Sequence, residues 1–111
     1  MKIITAMVQR FMMNKIVDAL EAMEGFPGMT LSDVRGFGRR RSPREERSWH
    51  LDDFHQKVRI EIVAPDEMVE SITNALVANA HTGNDGDGKV FVWTVEHAVR
   101  IQTGEEDEQA I

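Results

Sequence analysis

The seven residues Lys57-Val58-Arg59-Ile60-Glu61-Ile62-Val63 alternate charged with branched apolar side chains almost throughout. No other feature of the chain constrains its fold as strongly. A period of two is the pattern of a strand with one buried face, so Val58, Ile60 and Ile62 are expected to face a core, and a sheet must exist for the strand to join. A second strand is predicted from Lys2 to Gln9, with Ile4, Ala6 and Val8 on one face and Ile3, Thr5 and Met7 on the other. Its two largely apolar faces predict packing on both sides.

Between these strands the spacing changes to a helical one. Ile16, Val17, Leu20 and Met23 fall on one side of a helix, with Asn14 predicted as its cap and Gly25 and Pro27 as its stop. Thr30 to Phe37 is predicted as a strand running into Gly36-Phe37-Gly38. After Pro65 and Asp66 a second helix is expected, with Val69, Ile72, Leu76 and Ala80 buried and acidic residues near its positive end. Val90 to Val95 returns as a strand, and Val99 to Gln102 is predicted to add a short one. The order strand, helix, strand, strand, helix, strand is the split βαβ, ferredoxin-like α+β pattern. At 111 residues this is one domain with a thin core, which association with further copies would help.

Composition excludes several functions. The chain has no cysteine, so disulfides, thiolate metal sites and cysteine nucleophiles are out, and a reducing, cytoplasmic setting is expected. No signal peptide or membrane-spanning apolar run is evident, so no direct membrane insertion is expected. A net charge of -6 argues against nucleic acid as a partner. One stretch runs against that acidity: Arg39, Arg40, Arg41, Arg44 and Arg47 all lie in the aperiodic segment from Arg39 to Gln56. That segment joins two strands that a short turn would have served, and loops of such length are usually functional or disordered.

Three features have chemical potential. Thr82-Gly83-Asn84-Asp85-Gly86-Asp87-Gly88-Lys89 is a glycine-rich turn ending in lysine. Such a turn can aim backbone N–H groups at phosphate oxygens, or it can simply connect a helix to a strand. It is no Walker loop, because the spacing differs and Val90 replaces the hydroxyl residue. Arg35-Gly36-Phe37-Gly38-Arg39 is either a ligand-facing strand end or a bulge. His50-Leu51-Asp52-Asp53-Phe54-His55 offers His50 and His55 as metal-ligand candidates, yet it matches no common zinc spacing. His81 and His97 stand alone near element ends. No nucleophile or paired-carboxylate pattern supports an enzyme, so no catalytic residue is assigned.

Taken together, the segments resemble the PII nitrogen-regulatory signal transduction family. The resemblance rests on Gly28-Met29-Thr30, Gly36-Phe37-Gly38-Arg39, Lys57 to Val63 followed by Pro65-Asp66, Thr82-Gly83 with Gly86 to Val92, and Arg100-Ile101 before Thr103-Gly104-Glu105. It implies a single domain over 1–111, with a T-loop at about 39–56, a phosphate loop at 82–89 and a C-terminal segment at 97–111. It further implies a homotrimer binding ATP, ADP or AMP between subunits, with magnesium as a possible companion. Gly36, Gly38, Arg39 and Arg40 with Gly86, Asp87, Gly88 and Lys89 are then expected on one side of each site. Gly28, Met29, Thr30 and Arg100 are expected from the neighbouring subunit, Gln102 lies beside Arg100, and Met7 and Val63 are placed to flank adenine.

The T-loop, with Arg41, Arg44, Arg47 and Trp49, is expected to contact a membrane transporter or a cytosolic target enzyme. Arg40 stands where relatives hold a glutamine that helps bind magnesium and 2-oxoglutarate, and a guanidinium has no lone pair for a metal. This argues against 2-oxoglutarate in the usual geometry. The chain has no tyrosine, so the family's tyrosine uridylylation is excluded. Gln102 replaces a second arginine beside Arg100. The alternative reading is a trimeric metal-tolerance or small-molecule binding module linked to a metal-efflux system.

Overall fold

The computed structural model describes residues 1–37 and 54–111. Four strands form one sheet: β1 (Lys2–Gln9), β2 (Thr30–Gly36), β3 (His55–Ala64) and β4 (Gly88–Thr94). Two helices, α1 (Met13–Glu21) and α2 (Val69–Ala80), complete the βαββαβ order. The sheet order is β2-β3-β1-β4 with every pairing antiparallel. This is the α+β ferredoxin-like fold expected from the order of the elements.

The two central strands set the core. Ile4, Ala6 and Val8 of β1 lie opposite Ile62, Ile60 and Val58 of β3, and all six are buried. Ile16 and Leu20 of α1 and Ile72, Leu76 and Ala80 of α2 complete that cluster. Val69, expected on the α2 stripe, is only partly buried against it.

The other face of the sheet carries no element of the described chain. Phe91 and Trp93 stand about half exposed there, opposite Thr5 and Ile3. The expectation of a β1 strand covered by packed elements on both sides is therefore met on the helix side only. Thr5, between Glu61 and Phe91 in register, is nevertheless buried.

Two local expectations are corrected. Asn14 does not cap α1: a 3-10 turn at Arg10–Met12 leads directly into the helix, and the Met13 N–H donates to the Arg10 carbonyl. Backbone continuity does the work of a side-chain cap, and Asn14 becomes the second helical residue. Val99 to Gln102 is not a strand. Val99 forms a single bridge to Glu106, and Arg100 donates to the Glu105 carbonyl at 2.8 Å, closing a short hairpin on itself. β3 also begins earlier than expected, because His55 and Gln56 pair with Gly36 and Arg35.

Among the described residues no helix is long and apolar enough to cross a membrane. Ile60, fully buried on β3, measures the core. Ile60→Ala is expected to lower unfolding free energy by about 2–5 kcal/mol in urea denaturation. Ile101→Ala, at a fully exposed position, should change it by under about 0.5 kcal/mol.

Candidate functional site

Because Ile4, Ala6 and Val8 face the helices, Met7 and Gln9 must face the open side of the sheet, as Lys57 does on β3 and Lys89 on β4. At the end of the sheet where β1 and β2 finish and β3 and β4 begin, these side chains meet the turn from α2 into β4. They enclose a cleft of about 910 Å³. Met7, Gly36, Gly86, Asp87, Gly88 and Lys89, all expected at one site, line it together.

The turn is held by its own carboxylate. Asp87 accepts hydrogen bonds from the Thr82 hydroxyl, the Thr82 N–H at 2.6 Å and the Gly83 N–H at 2.9 Å. The Thr82 hydroxyl in turn accepts from the Asn84 N–H at 3.2 Å. The Thr82 hydroxyl bond, followed by the two backbone bonds, lowers the Asp87 pKa from its ordinary value. The carboxylate thus remains ionised and acts as a brace inside the turn. His81 Nδ1 lies 3.7 Å from it, so this histidine is not the isolated residue its sequence context suggested.

Gly88 is fixed by space. A Cβ there would fall 1.7 Å from the Met7 carbonyl oxygen, and its φ of +111° disfavours any side chain. That closeness lets β4 start directly against β1. Gly86, at φ +90°, turns its carbonyl toward two donors: Gln9 Nε2 at 2.7 Å and Lys57 Nζ at 2.6 Å. At the mouth, the Phe37 and Phe54 rings meet in a tilted contact, centroids 5.4 Å apart and planes inclined by 55°, which joins the ends of β2 and β3.

The remaining expected residues lie elsewhere. Thr30 pairs with Glu61, six residues along β2 from Gly36 and so roughly 20 Å from the cleft end. Gly28 and Met29 lie just before it. Val63 is four residues along β3 from Arg59, the partner of Met7, or roughly 13 Å away. Arg100 and Gln102 sit on the exposed C-terminal hairpin. That hairpin is closed by Asp107, whose N–H donates to the Ala98 carbonyl at 2.7 Å and whose carboxylate meets His97 Nδ1 at 2.9 Å. The His97 contact is the main cause holding the Asp107 pKa below its ordinary value. Gly38, Arg39, Arg40, Arg41, Arg44, Arg47, Trp49 and His50 lie outside the described residues.

Gln9 and Gln56 line the cleft without belonging to any of the chemical motifs, while Phe37 and Asn84 lie inside two of those motifs with no role assigned to them. Gln9 was legible in principle, since it shares strand parity with Met7. Among the described residues no group of three or more His, Asp or Glu is arranged to hold a metal ion. His55 instead lines the cleft mouth.

A four-stranded antiparallel sheet with two helices in βαββαβ order defines the class of ferredoxin-like α+β domains. The family model described as "Nitrogen regulatory protein P-II" matches residues 1–105. A Nitrogen regulatory protein P-II of Haemophilus influenzae is 44% identical over 113 residues, covering 100% of each chain. Nitrogen regulatory protein P-II 1 of Escherichia coli K12 and the P-II protein of Pasteurella multocida are each 42% identical, with the same full coverage. The chain belongs to the P-II family, which does not favour the metal-tolerance alternative.

Two measurements test this anatomy. Gly88→Ala should fail to keep the β1–β4 register and lose native dispersion in NMR spectra. Asp87, with its lowered folded pKa, contributes stability that is complete above the ordinary carboxylate range near about pH 4 and lost as pH falls through the lower folded value. Asp87→Asn should therefore be less stable near neutrality and show a shallower acid limb in pH-dependent melting. The limb will not vanish, because Asp66 and Asp107 are also held low.

Proposed function

We propose that the chain is a non-enzymatic, cytoplasmic regulator of nitrogen metabolism that binds adenine nucleotides at clefts between the subunits of a homotrimer. The most direct support is the division of the expected residues between places that one chain cannot join. Met7, Gly36 and the Gly86 to Lys89 turn share one end of the sheet. Gly28, Met29 and Thr30 lie toward the other end, and Arg100 sits on a separate hairpin. A neighbouring copy, seated on the exposed Phe91 and Trp93 face, would bring its own Gly28 to Thr30 and Arg100 to complete the cleft.

The chemistry suits a nucleotide. Backbone N–H groups of the glycine turn with Lys89 and a neighbour's Arg100 would receive phosphates, since charge-assisted bonds are about twice as strong as neutral ones. Met7, and Val63 from the neighbour, would contact the base. Gly38, Arg39 and Arg40 would extend the phosphate side from the segment that follows Phe37. Magnesium fits only as a phosphate-bound companion, and Arg40 disfavours 2-oxoglutarate held through a metal.

The arginines from Arg41 to Arg47, with Trp49, would meet an acidic patch on a transporter or a cytosolic enzyme. Nucleotide control of that contact requires the ligand to bind one loop state better than another. The family name supports nitrogen regulation as the process.

Light scattering should give a trimer, and calorimetry should detect ATP, ADP and AMP. Lys89→Ala is expected to weaken ATP by at least about tenfold. Restoring a cation with Gln102→Arg should raise affinity for ATP more than for AMP, which offers fewer phosphates. A monomer, or an ATP affinity indifferent to Lys89→Ala, would overturn the reading.

A further inference from the structure

The Gly86 carbonyl is unusual in this cleft because two side chains donate to it. Gln9 Nε2 lies 2.7 Å away and Lys57 Nζ 2.6 Å away. They come from neighbouring strands at one register position, since Gln9 pairs with Lys57. A carbonyl oxygen has two lone pairs, so both bonds are made at once.

Their consequence passes through the peptide plane. The 86–87 peptide is trans, as no cis bond occurs among the described residues, so the Asp87 N–H points opposite to the Gly86 carbonyl. Holding the oxygen holds the amide. At φ +90° Gly86 has more conformational freedom than any other residue type would have there, so without its two partners this peptide would be free to rotate.

We propose that Gln9 is a positioning residue of the cleft: with Lys57 it forms a two-donor latch on the Gly86 carbonyl that fixes the Asp87 N–H for a ligand phosphate. The two donors are not equivalent. Gln9 is neutral, on the last residue of β1, and has no charge to offer an anion. Lys57 is a cation on a long, flexible stem, free to turn toward an anion entering the cleft. When it does so, the Gln9 bond keeps the carbonyl satisfied and the turn in place. Gln9 thereby lets Lys57 respond to ligand without releasing the phosphate loop.

The ligand half of this inference rests on the nucleotide reading above; the latch itself does not. The test uses the full-length protein and Gln9→Ala, Lys57→Ala and the double variant. In the unliganded proteins, the carbonyl 13C shift of Gly86 should move upfield in steps, partly in each single variant and fully in the double. Gln9→Lys, which restores a donor, should recover most of the Gln9→Ala shift, while Gln9→Glu should not.

In ATP calorimetry, Gln9→Ala should cost about three- to tenfold. The double variant should lose more than the product of the two single losses, because only the second removal leaves the carbonyl unpaired. A Gly86 shift unmoved in the double variant overturns the latch. A shift that moves while ATP losses simply multiply overturns the positioning role. If the wild type binds no adenine nucleotide, the functional reading and the positioning role fall together, and the latch is decided by the carbonyl shift alone.

Discussion

The burial of alternate residues of β1 and β3 under two helices is the constraint from which the rest of the molecule follows. Ile4, Ala6 and Val8 against Ile62, Ile60 and Val58 fix the register of the two central strands, and a slip of one residue would turn every core side chain to the open face. The same parity decides which side chains line the cleft. With even positions committed to the core, Met7, Gln9 and Lys57 must stand on the other face, and the β1–β4 pairing places Lys89 opposite Met7. The cleft is the sheet's own periodicity seen from its unhelical side.

The turn into β4 is built to arrive at that face already shaped. A glycine-rich segment loses much backbone entropy on ordering, and this one is offset locally. Asp87 gathers two N–H groups and a hydroxyl of the turn, Gly88 fits where no side chain can, and Gln9 with Lys57 holds the Gly86 carbonyl. Polar groups set before a ligand arrives need no reorganisation when it does. Lys57 lies at the start of β3, immediately beyond the Phe37–Phe54 contact, so one side chain links the turn to the strand that receives the long segment.

How much of this was legible depended on whether the signal was local. Among the described residues, alternation marked β1 and β3 and helical stripes marked α1 and α2, because burial of one face writes a period into the chain. Asn14 has the chemistry of a cap, but the 3-10 turn before it supplies the bonds a cap would make. Val99 to Gln102 was misread as a strand because apolar residues alternate there, yet Ile101 is fully exposed and the segment folds back on Glu105 and Glu106. The glycine turn was visible as composition. Gln9, His81 and His97 were not visible as partners of Gly86, Asp87 and Asp107, since those contacts span strands or loops and leave no periodic trace.

A site divided between copies has a consequence that a self-contained pocket lacks. On the proposed reading, the glycine turn comes from one subunit and Arg100 from the next, so a nucleotide bound between them stabilises the assembled state over separated chains. The coupling is reciprocal: whatever favours assembly also favours binding. The Phe91 and Trp93 face and the Asp107-closed hairpin then act on the same equilibrium. Weakening either should appear as loss of nucleotide affinity, although neither touches the cleft of its own subunit.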